Sequence, residues 1–188
     1  MRKLKITELN RLTVDQYRQY PKTPLIIVLD NVRSLHNIGS IFRTADAFRL
    51  EAVYLCGITA TPPHPEIHKT ALGAEETVEW HYYPNTSEAV HKLRQNDYIL
   101  YAVEQTEGSV SIENITLDPT KKYVLILGHE VKGIHQDIVN ECDYCVEIPQ
   151  YGTKHSLNVS VAGGIVIWDF FKQLISAHAQ PTEQPALS

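Results

Sequence analysis

The chain has 188 residues, 43% hydrophobic and 21% charged, with a formal net charge of −5 at pH 7. That length suits one domain of ordinary globular composition, and it leaves no room for a second catalytic domain. No apolar run reaches the ~20 residues of a membrane span and no signal-peptide core follows Met1, so a cytoplasmic location is expected. The negative balance argues against indiscriminate polyanion binding, although Arg11, Arg18, Arg33, Arg43 and Arg49 leave a basic face possible in the first part of the chain.

Residues 7–20 read as short helices, with Thr13 and Gln16 at capping-box spacing, until Pro21 and Pro24 break the chain. Residues 1–24 are therefore expected as an N-terminal helical extension, 25–176 as the main domain and 177–188 as a flexible, proline-bearing tail. Continuous apolar runs at 25–29, 52–56, 98–103, 123–127 and 144–148 have the look of strands buried on both faces, and 78–80 is a weaker edge candidate. Helices are expected between them at 38–48 behind Asn37, 65–73 with Pro65 in the first turn, 87–95 behind Thr86, 134–140, and 156–177 behind His155 or Ser156. This alternation predicts an α/β fold, a mostly parallel sheet with helices on both faces, with ligands beyond the carboxyl ends of the strands.

Three loops at those ends carry chemistry. The first runs from Asp30 into Asn37-Ile-Gly-Ser-Ile-Phe-Arg43, an arginine-flanked helix start of the kind that accepts phosphate. The second, Gly128-His-Glu130-Val-Lys-Gly133, brackets a carboxylate with two glycines that permit a tight turn and close backbone approach. The third, Ile148 to Ser160, is long and rich in hydroxyls and basic groups, and it feeds an apolar helix through Gly163-Gly164, where something packs closely.

Other chemistries find little support. No G-x-G-x-x-G follows the first strand, the second loop is neither a P-loop nor H-E-x-x-H, and no G-x-S-x-G elbow occurs. His64, Glu66 and His68 are spaced like metal ligands but read better as a surface helix face, so no metal is expected. Cys142 and Cys145 form a lone C-x-x-C, which with Cys56 reads as idle thiols in a reducing compartment.

Together the three loops resemble the SpoU, or TrmH, family of RNA ribose methyltransferases within the SPOUT superfamily. Asn37 to Ala45 is similar to its N-x-G-x-x-x-R-T-A motif, Leu127 to Gly133 to L-G-x-E-x-x-G, and Ile148 to Ser160 to I-P-x-x-G…S-L-N-V-S, in the family's order. His129 departs from the Asn or Pro frequent there. The resemblance implies a sheet with a deep C-terminal trefoil knot, a homodimer packed through the last helices, and S-adenosylmethionine as methyl donor. It further implies cofactor contacts at Val103, Glu104, Leu127, Gly128, Ile148, Ser156 and Leu157, and catalytic roles for Asn37, Arg43, Glu130, Ser156 and Asn158. The substrate is expected to be an RNA ribose 2′-hydroxyl, with transfer RNA favoured over ribosomal RNA. A non-catalytic RNA-binding protein of this fold and a base-directed RNA methyltransferase stay open as alternatives.

Overall fold

The structure is a computed structural model that describes residues 1–176; the tail expected at 177–188 lies outside the described residues. A 3₁₀ turn at Ile6–Glu8 leads into α1 (Val14–Gln19), β1 (Thr23–Asp30), α2 (Leu35–Ala47), β2 (Leu50–Cys56), α3 (Pro65–Ala71) and α4 (Ala74–Thr77). Then follow β3 (Trp80–Tyr83), α5 (Thr86–Gln95), β4 (Tyr98–Val103), β5 (Val110–Ser111), a 3₁₀ turn at Ile112–Asn114, β6 (Lys122–Leu127), α6 (Gln136–Glu141), β7 (Tyr144–Glu147) and α7 (Val159–Ser176). The strands form one sheet in the order β3-β2-β1-β6-β4-β7-β5, and every pairing is parallel.

The apolar runs are continuous because both faces of the sheet are covered. In β1, Leu25, Ile27 and Leu29 point into a core with Ile38, Ile41, Phe42 and Phe170 of α2 and α7. Ile26 and Val28 point the other way, towards Ala89, Val90, Leu93 and Ile138 of α5 and α6. Alternate side chains of a strand face opposite sides, so a doubly covered strand needs an apolar residue at every position. At its carboxyl end, Asp30 is 1% exposed and accepts from Thr86 Oγ1 (2.5 Å), Asn31 Nδ2 (2.8 Å) and the His135 N–H (3.0 Å), tying β1 to α5 and α6.

Several element boundaries differ from the sequence expectation. Ser34, not Asn37, caps α2: its hydroxyl accepts from the Asn37 N–H at 3.3 Å, so the helix begins earlier and Asn37 occupies its first turn. Asn85 rather than Thr86 caps α5, and α7 starts at Val159, behind Asn158, leaving Ser156 and Leu157 in the preceding loop. The helix expected at 65–73 breaks where Leu72 and Gly73 both take positive φ, and a short α4 follows. The weak edge strand falls at Trp80–Tyr83 instead of 78–80, and the two-residue β5 is too short to leave a sequence pattern. The capping box of Thr13 and Gln16 is present.

Parallel pairing sends the loops after β1, β4, β6 and β7 to the same end of the sheet. In the sheet, β6 lies between β1 and β4, and the chain then passes β4 to reach β7, an order consistent with the expected knot. Gly39 makes α2 narrow in its second turn: a Cβ there would run into the Ile67 carbonyl and Thr70 Oγ1 of α3. The group that approaches Gly39 is thus a neighbouring helix backbone.

Candidate active site

The loops after β4, β6 and β7 enclose a cavity of 460 Å³ lined by all seven residues expected to hold the cofactor: Val103, Glu104, Leu127, Gly128, Ile148, Ser156 and Leu157. Its shape depends on the loop after β6 folding back on itself, where His129 and Gly133 exchange N–H···O bonds of 3.1 and 2.9 Å. Gly128 allows this, because a Cβ would collide with the backbone of Gly133 and Ile134. Gly133 has φ +68, and a Cβ would strike the Glu104 carboxylate. Glu104 in turn accepts from the N–H groups of Ile134 and Gln105, both at 3.1 Å, locking the loop after β6 to the end of β4. The His129 ring also has a structural use, since Nδ1 accepts from the N–H groups of Val131 (3.0 Å) and Lys132 (3.3 Å) at the loop tip.

At the rim, Glu130 reaches the start of α2. Its carboxylate accepts from the N–H groups of Arg33 (3.1 Å) and Ser34 (2.9 Å) and from Asn37 Nδ2 (3.0 Å). The Asn37 carbonyl oxygen then accepts from Asn158 Nδ2 (3.1 Å), while Asn158 Oδ1 caps α7 by accepting from the Ser160 N–H (2.9 Å) and from the Ser160 hydroxyl (2.7 Å), whose oxygen also lies 3.4 Å from the Asn37 oxygen. One hydrogen-bonded chain therefore joins the three motif loops across 93 to 121 residues of sequence. Ser160 belongs to this network but was not singled out as a site residue; its place inside the third motif was the available signal.

Partial burial by itself would raise the Glu130 carboxyl, but the N–H groups of Ser34 and Arg33, its own N–H and the Asn37 amide outweigh that and hold it below the ordinary glutamate value. A depressed folded pKa means that the charge stabilises the fold above the unfolded pKa, and that this contribution fades as pH falls through the folded one. The stability gap between wild type and Glu130→Gln is thus expected to be full at pH 7 and to close below about pH 4.3. Thermal melts across that range check this; a gap independent of pH would show that the charge contributes nothing.

Arg43 stands apart. It is exposed on α2 and lines a second cleft of 710 Å³ with Arg11 and Arg49, not the cavity behind Leu127. Asn37, Glu130 and Asn158 are brought into contact, Ser156 lies on the cavity wall, and Arg43 of the same chain is on another face. All three cysteines are free thiols; burial pushes Cys142 up to about 12, as befits an idle group.

An all-parallel α/β sheet whose strand-end loops wrap one cavity, with three motif loops hydrogen-bonded at its rim, defines an α/β protein with a candidate ligand site beyond its strand ends. The model of the SpoU rRNA Methylase family matches residues 24–168, and the chain belongs to that family. It is 35% identical over 150 residues to the 23S rRNA (guanosine-2′-O-)-methyltransferase RlmB of Pseudomonas syringae pv. tomato, covering 80% of this chain and 59% of that one. With RlmB of Haemophilus influenzae the identity is 32% over 170 residues, covering 90% and 68%. The chain thus spans about six-tenths of the length of the first of these relatives. Among solved structures, the A. aeolicus TrmH/SpoU tRNA modifying enzyme superposes with a TM-score of 0.77 at 26% identity, covering 92% of this chain and 88% of that one. An AdoMet-bound rRNA methyltransferase from Sinorhizobium meliloti gives 0.75 at 29%, covering 86% and 60%. Among the described residues, no helix is long and apolar enough to cross a membrane.

Proposed function

We propose that this protein transfers a methyl group from S-adenosylmethionine to a ribose 2′-hydroxyl of RNA. The observation that carries this reading is that the second and third motif loops line one cavity and are hydrogen-bonded, through Glu130 and Asn158, to Asn37 of the first. The cavity suits the cofactor. Its 460 Å³ lies within the usual range for a ligand of this size, Leu127, Ile134, Val146 and Ile148 offer apolar wall for an adenine, and Glu104, Glu130 and Glu147 give a negative lining for a sulfonium and an ammonium. When bound, the cofactor supplies an electrophilic methyl on a good leaving group.

The residues of this chain then have to bind, orient and manage one proton. As the 2′-oxygen takes the methyl, the O–H bond must break, because a neutral hydroxyl is a poor nucleophile. Arg43 as free base would have to give up its own proton first, at roughly 7–9 kcal/mol at pH 7. Its proposed role is chiefly to hold the RNA phosphate and the 2′-oxygen in line with the methyl, with partial base character only where the phosphate takes up the guanidinium's proton. Glu130 is engaged with three donors and acts as a positioning group for Asn37, while Asn158 sets the start of α7.

The reading includes a homodimer. Helix α7 leaves Val161, Ile165, Trp168 and Ile175 substantially exposed along its length, and a Cβ at Gly164 would meet open space, whereas one at Gly163 would press Ile41 and Leu127 at 2.7 and 2.9 Å. Such a stripe suits a second copy. The separation of Arg43 from the cavity within one chain supports the same view, since a second copy on α7 could supply the arginine.

Transfer RNA is the proposed substrate class, favoured by the mutual coverage with the tRNA modifying enzyme, while the names of the curated relatives favour a ribosomal guanosine. The test is incubation of the purified protein with labelled S-adenosylmethionine and total RNA, followed by size separation and mass spectrometry of the nucleosides. A 2′-O-methylated nucleoside in the transfer RNA fraction is expected. The same nucleoside in ribosomal RNA would change the substrate, label on a base would change the reaction, and no label despite cofactor binding would leave a binder.

A further inference from the structure

The bend between α3 and α4 gathers three metal-ligating side chains away from the cavity just described. His68 lies in the last turn of α3; Leu72 and Gly73, at φ 55 and 92, then reverse the chain and return Glu75 and Glu76 to it. One donor atom from each of these three residues falls within 4.8 Å of the others. The Glu75 side chain is only 7% exposed, with Oε1 2.6 Å from His68 Nδ1 and Oε2 buried without a hydrogen-bond partner.

A buried carboxylate oxygen left unpaired costs free energy, and a cation is the group that most directly removes that cost. The nearby side-chain cations bond to acceptors other than the Glu75 carboxylate: Arg18 donates to the Glu76 main-chain carbonyl (3.2 Å), Lys22 to the Tyr17 carbonyl (2.7 Å) and Lys69 to Glu66 (2.5 Å). The three ligands open onto a cavity of 470 Å³ walled by Pro62, Pro63, Pro65 and Trp80, with His64 beside them, which leaves room for further ligands.

We propose that His68, Glu75 and Glu76 form a binding site for a divalent cation of the zinc class. One imidazole with two carboxylates is a nitrogen and oxygen donor set that suits Zn²⁺ or Co²⁺ better than Mg²⁺, which favours an all-oxygen shell. The ion braces the fold and does not take part in the reaction. It pins α3 to α4, and α3 is the helix whose backbone presses on Gly39 beside Asn37. The sequence spacing had drawn attention to His64, Glu66 and His68, but Glu66 pairs with His36 and Lys69, and the partners of His68 come from the next helix.

The full-length protein, freed of metal with a chelator, should be titrated with Zn²⁺ by calorimetry and with Co²⁺ by visible absorption. One ion per chain is expected, with a rise in melting temperature, and His68→Ala and Glu75→Gln should each weaken binding at least about tenfold. Absence of binding would overturn the proposal, as would an isotherm unchanged in both variants, which would place the ion on other histidines. Because the His68 side chain is 60% exposed, His68→Ala carries the test even if Glu75→Gln does not fold.

Discussion

Replacing Arg43 by lysine is expected to lower methyl transfer about a hundredfold while leaving S-adenosylmethionine affinity unchanged. Lysine keeps the charge but loses the planar fork that holds phosphate and 2′-oxygen together, and a misplacement of about 1 Å at the reacting atoms is worth roughly that factor. Arg43 is exposed and borders a cleft distinct from the proposed cofactor cavity, so the substitution should spare both the core and the cavity. Single-turnover rates beside equilibrium binding of the cofactor decide the matter. Wild-type turnover in the lysine variant would remove the bidentate positioning role, and a parallel loss of cofactor affinity would place Arg43 in the cavity after all.

Gly128→Ala is expected to reduce cofactor affinity more than tenfold and to lower the melting temperature. The added methyl would collide with main-chain atoms of Gly133 and Ile134, which cannot rotate aside as a side chain would. Relief requires opening the His129–Gly133 hairpin and breaking the hold of Glu104 on Ile134, and forced rearrangements of this kind cost about 1–3 kcal/mol. Calorimetric titration with S-adenosylmethionine, together with a melt, reads both effects. Full affinity in the alanine variant would mean that the loop has slack and that its closed form does not shape the cavity.

Much of the site was legible as motif. The second and third loops could be placed at strand ends because the apolar runs before them are of strand length, and their expected cofactor residues all line one cavity. The roles of the glycines were harder to read. Gly128 was expected to permit close backbone approach, and what approaches is the loop's own return; at Gly39 the group admitted is the α3 backbone. Local pattern shows that a residue without a side chain is needed but not what fills the space, since those neighbours come from elsewhere in the chain.

Caps show the same division. By a short-range rule Asn37 was expected to cap α2, next to the apolar pattern. Glu130, more than ninety residues away, decides otherwise: its carboxylate takes the N–H groups of Arg33 and Ser34 and the amide of Asn37, which holds Asn37 inside the helix with its oxygen turned to Asn158 and Ser160.

By itself, then, the sequence determined the class of fold, the strand-end loops that matter and the identity of nearly every rim residue. The fold class and the loops follow from periodicity and strand length, which are properties of neighbouring positions, and the rim residues from the resemblance of the three ordered motifs to a known family. Only the tertiary structure decided the order β1-β6-β4-β7, the bonds that join the motifs, the separation of Arg43 from the cavity and the meeting of His68 with Glu75. Those depend on which distant segments share a surface, and packing of the whole chain settles that where no local pattern can.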